Sequence, residues 1–326
     1  MTAKTLCIII PVYNEAEGLP DLLARLNAIA GRISAEFALE VGYIFIDDGS
    51  SDDSFALLKA HDFGPRPVRL LQFSRNFGKE AALSAGIDAA EYADAAVLMD
   101  ADLQHPPEMI VDFVRIWLTE GADSVYAYKA SRRTSEGLLK AAFARMFFWA
   151  INRDLRYEIP PGAGDFRLIN HRFMTALRSL PESDRFMKGL YGWVGFRQRG
   201  LPLDPPPRTR GKSSFNPLRL VSMTLDAFTS FTTTPLRLMA LAGIAIAMVS
   251  MVYGIYVVLQ HFFFPSVPTG IASILALIAF FGGIQMIFLG LLGEYVGKSV
   301  LEAKKRPPYI LAEDISRKGE PVADRR

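Results

Sequence analysis

Through roughly the first 200 residues, short apolar runs alternate with stretches whose apolar residues recur at helical spacing. The runs predict strands over Thr5 to Tyr13, Val41 to Asp47, Val68 to Phe73, Ala95 to Asp100 and Asp123 to Tyr128. The helical pattern covers Glu15 to Ile33, Ser54 to Ala60, Lys79 to Tyr92 and Pro106 to Thr119, the last opening on prolines that a helix start tolerates. Repeating strand and helix implies an α/β fold, a mostly parallel sheet with helices on both faces. Such sheets bind ligands beyond the carboxyl ends of their strands. The polar residues collect there: PVYNE after the first strand, DDGSSDDS after the second, SRNFGKE after the third and DADLQ after the fourth. Four polar loops on one sheet edge predict a site.

Past residue 200 the pattern changes. LPLDPPPRTRGKSS is a proline-rich basic connector, and Leu218, Val221, Leu225 and Phe228 then recur at helical spacing, as in an amphipathic helix lying in a membrane interface. Between Arg237 and Glu294 there is no Asp, Glu, Lys or Arg, and the stretch splits around HFFFPSVPTG into Leu238 to Leu259 and Ile271 to Gly293. About 20 apolar residues span the hydrocarbon core, so two transmembrane helices are expected. Arg237 precedes the first, Lys298, Lys304, Lys305 and Arg306 follow the second, and the turn carries only His261. The positive-inside bias then places the N-terminal domain and both termini in the cytoplasm, at a cytoplasmic membrane. The expected division is an N-terminal domain over 1–212, an interfacial helix over 213–235, two spans over 236–294, and over 295–326 a juxtamembrane helix stopped by Pro307 and a tail whose last dozen residues are disordered.

Composition sharpens this division. Half of the 326 residues are apolar and 21% are charged, so the apolar excess is local to the spans. The run TLCIIIPVY is too short for a secretory h-region with a cleavage site. The single cysteine, Cys7, excludes an intrachain disulfide and a cysteine-based zinc cluster. A net charge of +2, with no basic stripe interleaved with aromatics, gives no reason to expect a nucleic-acid partner.

The DAD of VLMDADLQHPP puts two like charges at a predicted strand end, Asp100 and Asp102, which on a strand would point to the same side. Something positive belongs beside them. Hard oxygen ligands suit Mg²⁺ or Mn²⁺, and Mg²⁺ is commonly held by one or two carboxylates plus substrate phosphates. The motif therefore reads as a metal site for a diphosphate, with Gln104 adding an oxygen and His105 read as a helix-start residue. GKSS imitates the end of a P-loop, but position 206 is Pro206 where that loop requires glycine. No G-x-G-x-x-G follows the first strand, which leaves a dinucleotide-binding domain without its phosphate loop.

IIPVYNE, DDGSSDDS, SRNFGKEAAL, MDADLQHPPE, GAGDFRLI, RFMKGLYGWVGFRQ and LLGEYVGKSVLEAKKRPPYI occur in this order along nearly the whole chain. Together they resemble the family 2 glycosyltransferases that work on polyprenyl phosphate, a group including dolichol-phosphate mannose synthase and the bacterial undecaprenyl-phosphate glucosyl- and aminoarabinosyltransferases. The resemblance implies a GT-A fold and transfer of one sugar, with inversion, from a nucleotide diphosphate donor to a lipid phosphate. By position it implies that Pro11, Tyr13, Asn14, Glu15 and Asp48 hold the donor's base and ribose, and that Asp165 is the catalytic base. Glu15 and Asp48 can accept from ribose hydroxyls or base N–H groups, and Tyr13 offers a stacking face. Asp47 positions the loop, and Lys79 pairs with a carboxylate or a phosphate.

A phosphate monoester already carries about −1.5 to −2 charges near neutral pH. Asp165 is therefore expected to orient the acceptor more than to abstract a proton, while the dominant catalytic effect is metal stabilisation of the leaving diphosphate through Asp100 and Asp102. Candidate cations for the acceptor phosphate or the donor diphosphate are Arg132 and Arg133, Arg185 and Lys188, and Arg208, Arg210 and Lys212, with Arg132 and Arg208 singled out. The family pattern reads Arg, then Gly-x-Ser-Lys with an aromatic. Here RTRGKSSF has Ser214 where lysine is expected, and Lys212 offers its charge two positions earlier.

Undecaprenyl phosphate is the expected acceptor in a bacterial host and a UDP-sugar the favoured donor. The resemblance also implies a homo-oligomer, a tetramer. Three other readings are a processive polysaccharide synthase, a membrane-anchored sugar-nucleotide sensor and a nucleotide-sugar hydrolase. The first would carry Q-x-x-R-W and more spans, the second has no need of Asp165 and the metal pair, and the third would turn over without lipid acceptor.

Overall fold

A computed structural model describes residues 3–129, 163–183, 185–203, 234–263 and 270–317, which fall into two compact units. The first is built on an eight-stranded sheet in the order β7-β5-β6-β4-β1-β2-β3-β8. Its centre is the parallel set β1 (Thr5–Val12), β2 (Glu40–Asp47), β3 (Val68–Phe73) and β4 (Ala95–Leu98). These strands are near-continuous apolar runs because both faces are covered, and Ile8, Ile9 and Ile10 in β1 are fully buried. Burying each such side chain contributes about 1.5–3 kcal/mol.

Helices α1 (Leu19–Phe37), α2 (Ser54–Ala60) and α4 (Met109–Glu120) bury Leu22, Leu26, Leu58, Phe113 and Val114 in one core with Leu6, Ile8 and Ile10. Helix α3 (Lys79–Ala89) lies on the other face against β1 and β2. Gly86 makes that approach possible, since a Cβ there would collide with Ile9. Helix α5 (His171–Arg178) packs beside α3 and against β4 and β6, and α6 (Met187–Trp193) packs against β6.

Three strands lie outside the apolar pattern. Between β4 and β5 (Ser124–Lys129) runs β6 (Ala163–Asn170), antiparallel to both. It carries Asp165 and Arg167 where alternation would demand apolar residues. β7 (Gln198–Leu203) holds Gly200 and Pro202 and sits at one edge, where proline costs no ladder bond. β8 (Leu311–Arg317) pairs antiparallel with β3 at the other edge. The last dozen residues, expected as a disordered tail, therefore begin inside an edge strand, at residues 315–317, and the strand's charges Glu313, Asp314 and Arg317 suit that exposed position.

The element boundaries also bear on the site. β4 stops at Leu98, so Asp100 and Asp102 lie in the turn beyond it, not on a common strand face. α1 begins at Leu19, because residues 15–18 form a turn in which Gly18 N–H donates to the Glu15 carbonyl.

The second unit contains α7 (Thr234–Phe263) and α8 (Ile271–Ala303), both long and apolar enough to cross a membrane. Their side chains point outward, with Val249 70% and Ile287 70% exposed. Contiguous apolar surface on this scale suits association with a bilayer. α8 runs unbroken through EYVGKSVLEA, so the separate juxtamembrane helix expected there is its last part. The interfacial helix expected over 213–235 lies, up to residue 233, outside the described residues.

Candidate active site

Three of the predicted loops are tied to one another at the carboxyl edge of the sheet. Asn14, at φ +53°, accepts at Oδ1 from Ser51 N–H (2.8 Å), while its own N–H donates to Ser50 Oγ (3.0 Å). Glu15 N–H donates to Ser54 Oγ (2.9 Å) and Ala16 N–H to Asp52 Oδ2 (3.1 Å). The serine- and aspartate-rich stretch after β2 thus caps the turn after β1. Asp48 accepts from Phe77 N–H (2.7 Å) and Gly78 N–H (3.0 Å), which ties in the loop after β3. Gly49 fits below that loop because a Cβ would collide with the Arg75 backbone. Asp47, fully buried, accepts from Ser50 N–H and Gln72 Nε2, each at 3.3 Å.

Above these ties opens a cavity of about 260 Å³, lined by Pro11, Val12, Tyr13, Glu15, Asp48, Lys79, Asp100, Ala101 and Asp102. Seven of the predicted residues meet there. Tyr13 leaves 48% of its surface open. Asn14 spends its side chain on Ser51 and is not among the lining residues. Gln104 follows the acidic turn, and its N–H donates to Asp102 Oδ1 (3.1 Å). Arg132, Arg133, Arg208, Arg210, Lys212 and Ser214 lie outside the described residues. Arg185 donates to the carbonyls of Glu182 and Leu180.

The first positive charge beside Asp100 comes from the chain itself. Lys79 Nζ lies 2.6 Å from Asp100 Oδ1 and 2.9 Å from Asp165 Oδ2. Burial opposes the ammonium, but the two carboxylates outweigh it and hold Lys79 charged. Asp165 is 8% exposed and its Oδ1 has no hydrogen-bond partner among the described residues. Burial pushes its carboxyl up, yet Lys79, Lys188 and Arg167 together hold it below the usual carboxylate range. Asp165 is therefore an ionised group and a weak base.

Two residues on, and hence on the same face of β6, the guanidinium of Arg167 lies 3.6 Å from the Tyr191 ring centre and 5.4 Å from that of Tyr126. One nitrogen donates to the Gly164 carbonyl (3.0 Å). A cation–aromatic stack thus stands behind Asp165. No sequence pattern marks Arg167 or Tyr191 as partners, since cross-element packing alone brings them together.

The acidic side of the cavity is less compensated. Glu15 is pushed up by burial and then by Asp102, Asp52 and Asp100. Asp100, Asp102 and His105 each bring a ligand atom within 4.8 Å of the others, and the surplus of negative charge fits a divalent cation. His105, read from the sequence only as a helix-start residue, stacks on Phe166 with ring centres 5.2 Å apart.

Comparison with known proteins agrees with this architecture. The family model described as "Glycosyl transferase family 2" matches residues 7–177, and that of the "GtrB C-terminal hairpin" matches 234–299. An uncharacterized glycosyltransferase of Synechocystis sp., sll0501, is 39% identical over 94% of this chain and 95% of its own. The chain belongs to glycosyl transferase family 2. A prophage bactoprenol glucosyl transferase homolog of Escherichia coli K12 is 38% identical, covering 93% of this chain and 97% of its own. The SfII prophage-derived bactoprenol glucosyl transferase of Shigella flexneri is 36% identical, covering 96% and 99%.

The protein is thus a glycosyltransferase in which one carboxylic acid titrates near neutrality. Glu80 follows Lys79, and its Oε2 accepts from Met187 N–H (3.1 Å). Burial and then Asp165 push its carboxyl up to about 7, against Met187 N–H, Lys188 and Lys79. An acid whose folded pKa is raised costs folding stability as pH rises from its unfolded value of 4.5 through about 7. Glu80→Gln keeps the acceptor for Met187 and loses the charge. Its stability advantage over the wild type is expected to be absent below pH 4.5, to grow up to pH 7 and to level off above, as read by thermal unfolding in detergent. A pH-independent difference would exclude the assignment.

Proposed function

We propose that the protein transfers a single sugar, with inversion, from a nucleotide diphosphate sugar to polyprenyl phosphate at a membrane. The observation that carries this reading is the Lys79 bridge between Asp100 of the acidic turn and the buried, ionised Asp165. It links the acidic turn read as a diphosphate-metal site, through the cavity-lining Lys79, to the carboxylate read as orienting the acceptor. The names of the full-length relatives, bactoprenol glucosyl transferases, support a polyprenyl phosphate as acceptor and make glucose the first sugar to test.

In this reading Tyr13 stacks on the base, Glu15 and Asp48 take ribose or base donors, and Pro11 and Asn14 shape the turn around them. Asp100 and Asp102, with Gln104 or His105, would hold Mg²⁺ or Mn²⁺. When bound, that ion supplies positive charge against the leaving nucleotide diphosphate. The acceptor phosphate oxygen attacks the anomeric carbon from the side opposite the diphosphate; a new C–O bond forms as the old one breaks, and the electron pair leaves with the diphosphate. Asp165, held ionised and weakly basic, orients the acceptor, which arrives already anionic and needs no strong base. Arg132 and Arg208 are the cations singled out from the sequence for the acceptor phosphate or the donor diphosphate.

The two apolar helices anchor the protein, with the catalytic unit and both termini cytoplasmic by the positive-inside bias. Small residues along the second, as in FFGGIQ, suit packing against further copies, and a tetramer is the expected assembly.

Purified protein in detergent with Mg²⁺ and undecaprenyl phosphate tests this directly. UDP-glucose, UDP-N-acetylglucosamine, GDP-mannose and UDP-aminoarabinose are offered in turn as labelled donors. Label is expected to enter the lipid phase with one donor. A chelator and Asp102→Asn should each lower that transfer about 10²-fold or more, with the protein still folded. Free sugar released without lipid would indicate a hydrolase, and transfer insensitive to both chelator and Asp102→Asn would remove the metal site.

A further inference from the structure

The segment after Lys305 does more than close a sheet edge. β8 runs antiparallel to β3 from Arg317 opposite Val68 to Leu311 opposite Phe73, with an irregularity at Gln72 and Phe73. Arg69 binds Asp314 through two nitrogens, at 3.0 and 2.8 Å, and Lys59 binds Glu313 at 2.9 Å. The pairing continues one step past the strand, where Ser74 N–H donates to the Ile310 carbonyl (2.9 Å). Ser74 is the first residue of the loop that ends at Lys79.

Tyr309 grips the base of that loop. Its ring lies parallel to Phe73, centres 5.1 Å apart at 10°, and its hydroxyl donates to Asp88 Oδ2 of α3 (3.0 Å). Phe73 in turn meets Phe77 edge-on, at 5.7 Å and 88°. Phe77 is the residue whose N–H reaches Asp48 in the cavity wall. An unbroken set of contacts therefore runs from Tyr309 through Phe73 and Phe77 to Asp48. The same tyrosine also holds α3, whose first residue is Lys79.

We propose that Tyr309 is a positioning residue for the active site. The C-terminal strand, and Tyr309 above all, fixes the Ser74–Lys79 loop so that Asp48 and Lys79 face the donor. The kinetic consequence rests on the transferase reading above; the structural consequence does not. Removing the ring frees the loop, while the buried strands β1 and β2 keep their own ladder.

The test uses full-length protein in detergent, with hydrogen exchange followed in peptides covering residues 74–80 and, separately, β1 and β2. In Tyr309→Ala, exchange at 74–80 should quicken about tenfold, the size expected from losing one aromatic pair, with β1 and β2 unchanged. Tyr309→Phe keeps the stack, loses only the bond to Asp88, and should give a smaller increase. In the transfer assay Tyr309→Ala should raise the donor KM by more than it lowers kcat, and Tyr309→Phe should restore most of the difference. Wild-type exchange at 74–80 in Tyr309→Ala, or equal quickening throughout the sheet, would overturn the proposal. Absence of transfer by the wild type with every donor would count against the transferase reading and leave the exchange result standing.

Discussion

Replacing Asp165 with Asn is expected to lower kcat about 10²-fold, the cost of misplacing one reactant by about an ångström, while donor binding is retained. A general base removed outright would cost about 10²–10⁴-fold and erase an acid limb of the pH profile. The structure favours the smaller, pH-insensitive loss, because Lys79, Lys188 and Arg167 already hold the carboxyl low and make it a poor proton acceptor. Single-turnover rates at several pH values separate the two. The substitution also removes a charge that raises Glu80, so the Glu80 carboxyl should return toward its ordinary range in the same variant. Equal losses in donor affinity and turnover would instead make Asp165 a structural residue.

Lys79→Met should act on both carboxylates at once. Without the ammonium, Asp165 keeps the burial that raises its pKa and loses the nearest cation that lowers it. A depressed carboxyl stabilises the fold above its unfolded pKa of 3.8, and that contribution is lost as pH falls through the folded value. The variant should therefore be less stable than the wild type at neutral pH, and the wild-type advantage from the depressed carboxyl should disappear only as pH falls below 3.8 and through the folded value. At neutrality the deficit should be about 1–2 kcal/mol, below the usual figure for charge-assisted bonds because Lys79 is 41% exposed. Transfer should fall with it, since Asp100 and Asp165 would then lose the ammonium that both contact and repel each other. Thermal unfolding against pH reads the first effect and the labelled transfer assay the second. A deficit that grows on acidification would contradict the bridge.

The parallel centre of the sheet was legible because nothing functional disturbs its periods. Ile8, Ile9 and Ile10 announce a strand buried on both faces, and Leu22, Leu26 and Ile29 a helix stripe. The polar loops at the strand ends were legible for the same reason, since polar residues crowd where the apolar pattern stops. β6 was hidden by its own polar residues: Asp165 and Arg167 occupy inward positions, so the strand that carries them does not look like a strand. The acidic turn shows a different limit. The sequence demanded a positive charge beside Asp100, and a divalent cation answers that demand only in part, because the Lys79 ammonium already lies 2.6 Å away. Two residues separated by 21 positions carry no local sign of meeting. Arg167 and Tyr191, or Phe73 and Tyr309, are likewise ordinary residues until packing joins them.

The position of β8 in the chain bears on the order of synthesis. Its partner β3 leaves the ribosome early, whereas Leu311–Arg317 follows both apolar helices. Translation adds about 5–20 residues per second and N-terminal portions fold first, so the sheet waits with an open edge until the hairpin has been made. The loop leading to Lys79 gains its support from Tyr309 and Ile310 only then. A nascent chain halted before the two apolar helices would hold Asp48, Lys79 and Asp165 without the contacts of Tyr309 and Ile310, so the support of the loop leading to Lys79 is added only after those helices are made.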